Sequence, residues 1–194
     1  GVKVSAVSTE FEQGELTAST GDFDFAIQGN GFFMIEMPDG TTGYTRNGNF
    51  LMAINPNGGT TLTTADGYSV LDSNGKAITF DAATDTTRLS FDNYGNIFYK
   101  NAQGVIQPTG VRIGAAQFNN PSGLTKLGDS YFAESAASGN ARIEGQDAAL
   151  SVSVIKNGYL EASSVQAVDE MVDMIVTQRA YEMNSKAITA SDEM

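Results

Sequence analysis

Cysteine and histidine are both missing from this 194-residue chain. Without them no disulfide, thiolate nucleophile or Cys/His zinc site can form. A Ser-His or Cys-His catalytic pair is excluded for the same reason. The lack of cysteine leaves the redox compartment open, because such a chain tolerates either surrounding. Basic residues are scarce: 11 Lys and Arg stand against 23 Asp and Glu, a net charge of −12. A field of that sign repels polyanions, so neither nucleic acid nor an anionic membrane face is an expected partner. No run approaches the ~20 apolar residues needed to cross a bilayer, and no signal peptide is visible. The sequence opens on "GVKVSAV" without Met and reads as a fragment or processed form.

What is present suits a folded domain. Apolar residues make up 41% of the chain and charged ones 18%, enough for a core and against wholesale disorder. The most regular signal is turn chemistry. Asn-Gly or Asp-Gly begins at Asn30, Asp39, Asn47, Asn57, Asp66 and Asn74, at intervals of 9, 8, 10, 9 and 8 residues. Such pairs tolerate positive φ, and this spacing is the cadence of short antiparallel strands. Between the turns the residues alternate. Phe23, Phe25 and Ile27 share one face, Phe33, Ile35 and Met37 another, and Phe50, Met52 and Ile54 a third. Later candidate strands are 68–71, 77–80, 89–91, 97–99 and 111–118. No amphipathic helix separates them, so a βαβ rhythm is absent.

The expected fold is mainly β: an antiparallel, hairpin-rich β domain with an extended connector and one long C-terminal α-helix. Residues 1–22 are expected to form an extended strand and connector, with Val2, Val4 and Ala6 alternating. Residues 23–134 form the β domain, 135–162 a small and polar connector plus a strand from Leu150 to Ile155, and 163–194 the helix. Ser163 or Ser164 supplies the N-cap, and Asp169 and Glu170 sit where the helix dipole favours anions. Val165, Val168, Val172 and Ile175 make a heptad-like seam, and Met171, Met174, Tyr181 and Ile188 a second row. Such a helix spans about 40 Å and needs partners for both rows. These eight residues are the candidate assembly site.

Chemical sites are few. Gly29-Asn30-Gly31 invites comparison with a phosphate loop, but "FFMIEM" follows, a strand, where a phosphate loop needs a helix N-terminus. The stretch reads as a hairpin corner, with Gly29, Asn30, Gly31, Asn47 and Gly48 as turn-forming residues. Asp72–Lys76 lacks the spacing of an EF-hand, since Gly75 is fourth and the twelfth residue is Ala83. The acidic neighbours Asp22/Asp24, Asp169/Glu170 and Asp192/Glu193 are paired by proximity alone and do not support glycoside hydrolysis. Tyr44, Arg46 and Phe50 read as cross-strand packing beside the Asn47-Gly48 turn. No enzyme, no cofactor and no metal is expected.

Two long stretches carry a resemblance. "FAIQGNGFFMIEMPDGTTGYTRNGNF" resembles the signature region of the bacterial flagellar rod and hook family, and "GYLEASSVQAVDEMVDMIVTQRAYEMNSKAI" resembles its C-terminal signature. Within that family "FEQGELTASTG", "NPSGL" and "YLEAS" look most like the distal rod branch. The match covers nearly the whole chain and is thinnest over 60–101. Ser164 stands where the family commonly has Asn, and serine still caps a helix. The resemblance implies a self-assembling subunit of a stiff tubular drive shaft in the basal body, exported by the flagellar type III apparatus. It further implies a paired N-terminal helix upstream of residue 1, so that this piece alone is mostly monomeric. Implied partners are copies of itself in a helical homopolymer, proximal rod proteins, the hook protein and the ring (bushing) proteins. A proximal rod or hook protein, or an extracellular β-rich binding module, is the alternative reading.

Overall fold

The computed structural model describes residues 11–162. They form sixteen short strands: β1 (Leu16–Ala18), β2 (Phe25–Gln28), β3 (Phe32–Glu36), β4 (Thr42–Thr45), β5 (Phe50–Ile54), β6 (Thr60–Thr64), β7 (Thr79–Phe80), β8 (Leu89–Phe91), β9 (Asn96–Lys100), β10 (Ile106–Arg112), β11 (Ala115–Gln117), β12 (Thr125–Lys126), β13 (Phe132–Ala133), β14 (Arg142–Ile143), β15 (Val154–Asn157) and β16 (Tyr159–Glu161). All strand pairs are antiparallel, as the turn cadence implies. The largest sheet has the order β12-β13-β4-β3-β11-β14, and β5-β6-β7 and β10-β9-β8 form three-stranded sheets. Two-stranded pairs join β2 to β15 and β1 to β16. The expected C-terminal helix and the Val2–Ala6 strand lie outside the described residues.

Four of the hairpins share one turn. A side-chain acceptor accepts the backbone N–H groups two and four residues on, and a glycine follows three residues after it. Asp72 Oδ1 accepts from Asn74 and Lys76 at 2.8 and 2.9 Å, Asp92 Oδ1 from Tyr94 and Asn96 at 2.8 and 2.9 Å, and Asn101 Oδ1 from Gln103 and Val105 at 2.9 Å each. Thr64 Oγ1 does the same for Asp66 and Tyr68. The glycines at 67, 75, 95 and 104 all have φ between 81° and 88°. A three-residue hairpin loop needs that left-handed residue, and the acceptor occupies N–H groups the ladder cannot reach. Asp72 is thus a turn acceptor.

The Asn-Gly pairs at 30–31 and 47–48 are different. The first, expected as a hairpin corner, joins strands that do not pair with each other: β2 pairs with β15, while β3 pairs with β4 and β11. Likewise β4 pairs with β3 and β13, and β5 with β6. Both pairs carry the chain from one sheet to another. The reason is burial on both sides. In β3, Phe33 and Ile35 face a core cluster with Phe25, Ile27, Phe50, Leu62, Val70 and Ile155, while Phe32 and Met34 face a second cluster with Tyr44, Phe118 and Phe132. In β2 the residues between the apolar ones are covered too: Ala26 is buried beside Phe25 and Ile27. A strand with two apolar faces must sit between layers, and a simple two-stranded hairpin leaves one face in water. The second cluster is sealed by edge-to-face aromatics, with Phe11 5.1 Å from Phe32 and 5.0 Å from Phe132, and Tyr44 4.8 Å from Phe118.

The segment 135–162 is woven into this body. β14 pairs with β11, β15 with β2 and β16 with β1. The expected strand from Leu150 begins only at Val154.

Candidate functional site

β1 and β16 bring the two ends of the described chain together. Leu16 pairs with Glu161, Thr17 with Leu160 and Ala18 with Tyr159. Ala162 N donates to Glu15 O at 2.8 Å, and Ser19 N to Gly158 O at 2.8 Å, closing the ribbon at both ends. A two-stranded ribbon is marginal by itself. Here it is fastened by a single side chain from β4's far end.

That side chain is Arg46. Its Nε and Nη2 donate to Oε1 and Oε2 of Glu161 at 2.9 and 3.0 Å, a two-point charge pair. Nη2 also donates to Ile27 O at 3.0 Å, and Nη1 to Gly29 O at 2.8 Å and to Gly31 O. These contacts account for all five guanidinium donors. The guanidinium carbon lies 5.8 Å from the centre of the Phe32 ring. Glu161 is the more enclosed partner, with a side chain 6% exposed against 18% for Arg46. It accepts from Gly14 N at 2.6 Å and Gln13 Nε2 at 2.8 Å as well. Gln13 Oε1 in turn accepts from Gly29 N at 2.9 Å. One ion pair therefore ties the incoming strand, the 29–31 corner and the outgoing strand into one unit.

A second buried acid lies behind the same corner. Glu144 is 1% exposed and accepts from Ser153 N at 2.8 Å, Ser153 Oγ at 2.7 Å and Gln117 Nε2 at 2.7 Å. Ser153 Oγ accepts from Gly31 N at 3.0 Å. A buried carboxylate is tolerable only when so bonded. A Cβ on Gly31 would lie 2.7 Å from Glu144 Oε2, and one on Gly48 would lie 1.9 Å from Phe25 O. Neither of these glycines has a positive φ. Their role is close approach, whereas Gly29, at φ 136°, is the one that turns the chain. Asn30 is exposed, and Asn47 Oδ1 accepts from Asn49 N at 3.0 Å.

Thus Gly29, Gly31 and the residues beside Asn47 meet through Arg46. The candidate assembly residues Val165, Val168, Met171, Val172, Met174, Ile175, Tyr181 and Ile188 lie outside the described residues. Tyr44 and Phe50 are buried, so with Arg46 they form no exposed aromatic-basic patch. Asp24 is buried and accepts from Ser19 Oγ. Among the described residues no group of three or more acids is placed to hold a metal ion. No helix among them is long and apolar enough to cross a membrane. Gln13, Glu144 and Glu161 were not singled out by the sequence. Glu161 stands in the "YLEAS" stretch, but a glutamate ending a short strand carries no local mark of its distant arginine.

Two family models match this chain. The one described as the flagellar hook protein FlgE/F/G D1 domain covers residues 26–99, and the one described as flagellar basal body rod FlgEFG protein C-terminal covers 156–194. Among curated relatives, a flagellar basal-body rod protein FlgG from Bacillus subtilis (strain 168) is 42% identical over 179 residues, which is 92% of this chain and 65% of that protein. One of the same name from Agrobacterium fabrum is 40% identical over 196 residues, covering 100% of this chain and 70% of the relative. A flagellar basal-body rod protein FlgF from Caulobacter vibrioides is 32% identical over 193 residues, 98% of this chain and 69% of the relative. The chain thus spans between 65% and 70% of the length of these relatives.

Proposed function

This chain belongs to the flagellar basal-body rod protein FlgG family, and from that premise we propose that it is the β body of a distal rod subunit that polymerises into a stiff shaft and passes torque to the hook. The identities of 42% and 40% to proteins named FlgG, against 32% to one named FlgF, favour the distal branch over a proximal one. The observation that supports the mechanical reading is the β1–β16 ribbon, which sets Leu16 beside Glu161. In this reading the chain before β1 and the chain after β16 lead to helices that pack together. The proposed helix over 163–194, with its two apolar rows, is the downstream member. Contacts between such subunits would be heterologous, head to tail, and generate an open helical polymer. No chemistry is required of the β body in this reading.

The proposed partners are further copies of the subunit, proximal rod proteins, the hook protein and the ring proteins that form the bushing. The proposed location is the basal body, reached through the flagellar type III apparatus, across the periplasm to the outer membrane. Deleting the full-length gene in its host and examining isolated basal bodies tests the reading. Rods that stop short and carry no hook are expected, with swimming restored by the intact gene. Complete rods bearing hooks in the deletion strain would overturn it.

A further inference from the structure

We propose that Asn47 is this chain's preferred site of spontaneous conversion to isoaspartate. Five Asn-Gly pairs occur, at Asn30, Asn47, Asn57, Asn74 and Asn157. In all five a glycine follows the asparagine, so no side chain hinders ring closure, and sequence alone ranks them as equals. The fold separates them. Ring closure needs the glycine nitrogen free to shed its proton and attack the asparagine Cγ. Gly31 N is held by Ser153 Oγ at 3.0 Å, Gly58 N by Asn55 O at 2.9 Å, Gly75 N by Asp72 O at 2.9 Å and Gly158 N by Asp24 O at 2.8 Å. Gly48 N donates no hydrogen bond among the described residues.

The electrophile is prepared at the same place. Asn49 N donates to Asn47 Oδ1 at 3.0 Å, aimed at the oxygen on which negative charge develops. Asn57 Oδ1 receives the same help from Gly59 N at 2.9 Å, but its Gly58 N–H is tied. Asn47 is exposed, so its amide group departs into water. The step balances. Gly48 is buried, so its N gives up a proton to base when the corner opens to water; it then bonds to Cγ, and the Cγ–Nδ2 bond breaks with a proton taken up, releasing ammonia and leaving a succinimide. Water then opens the ring at either carbonyl, giving isoaspartate or aspartate.

The consequence is local. Isoaspartate inserts a carbon into the backbone at a corner where Gly48 O holds Phe25 N at 3.0 Å and Gly48 lies against Phe25 O. There is no room for it, so conversion loosens the junction of β2 with β5.

The test is peptide mapping by mass spectrometry of the 194-residue chain aged at mildly alkaline pH, with isoaspartyl methyltransferase labelling. The Asn47 peptide is expected to convert about threefold to tenfold faster than any other Asn-Gly peptide, the rate equivalent of not first breaking one backbone hydrogen bond. In concentrated urea the five rates should converge, and an Asn47→Ser chain should lose the fast component alone. Another Asn-Gly pair leading in the folded chain, equal rates there, or the same ranking in urea would each overturn the proposal.

Discussion

Arg46 is the residue on which most of this fold's geometry converges. It uses five donors on four different residues, and no other side chain has that number in one plane. Arg46→Ala leaves Glu161 enclosed without its cation, and a loss of about 3–5 kcal/mol is expected in chemical denaturation. Arg46→Lys keeps the charge but not the fork, and it should still cost about 1–3 kcal/mol. Wild-type stability of the lysine variant would show the fork to be dispensable. Two glycine substitutions separate conformation from space. Gly104 has φ 81° with nothing within 4 Å of an added Cβ, so Gly104→Ala should cost about 1–2 kcal/mol from the backbone alone. Gly48→Ala drives a carbon to 1.9 Å from Phe25 O, and about 3 kcal/mol or more is expected as the corner is pushed apart. A smaller loss at 48 than at 104 would contradict the division of roles. Tyr131 carries a pH dependence. Burial, together with the hydrogen bond and charge of Asp66, raises its hydroxyl from 10.0 to about 12. The folded state therefore holds the proton longer than the unfolded one. Its contribution is complete below pH 10.0 and fades as pH rises to about 12. Thermal melts across that window should fall more steeply for the wild type than for Tyr131→Phe.

At the scale of elements, the turns were legible and the connections between them were not. Asn and Asp before glycine mark a local backbone need, and local needs are written locally. Asp39-Gly40, Asn57-Gly58, Asp66-Gly67 and Asn74-Gly75 all turn the chain as the spacing implies. Asn30-Gly31 and Asn47-Gly48 carry the same dipeptide for another purpose, because their glycines admit Glu144 and Phe25 O where a Cβ would collide. A warning was available in the apolar runs. "FFMI" in β3 has no polar face, so it had to be covered on both sides, and a plain meander cannot do that. The Glu144–Ser153–Gly31 chain was beyond reach, since Gly31 and Ser153 lie 122 residues apart and neither Glu144 nor Ser153 carries a local mark of its partner. Ser153→Ala should therefore destabilise more than a typical buried serine. It removes one of Glu144's donors and Gly31's acceptor together, about 1–3 kcal/mol by chemical denaturation. Loss of protection at the Gly31 amide in hydrogen exchange should accompany it.

At the scale of the whole molecule, the mainly β class and its antiparallel order were readable from the sequence, and the family from two long stretches of residues. The pairing of β1 with β16 was not, because nothing in "GELTAST" or "GYLEAS" announces it. The geometry of that pairing has a mechanical meaning. Leu16 and Glu161 face each other at the open end of the ribbon, and Ala18 and Tyr159 at its closed end. A force drawing the two ends apart would load the ribbon in peel, breaking its rungs one after another, instead of in shear, where all rungs resist at once. Peel is the weak direction, and it begins at the first rung. The arginine fork sits on that rung. Arg46 thus works as a rivet at the tip of a seam, stopping a tear where it would start.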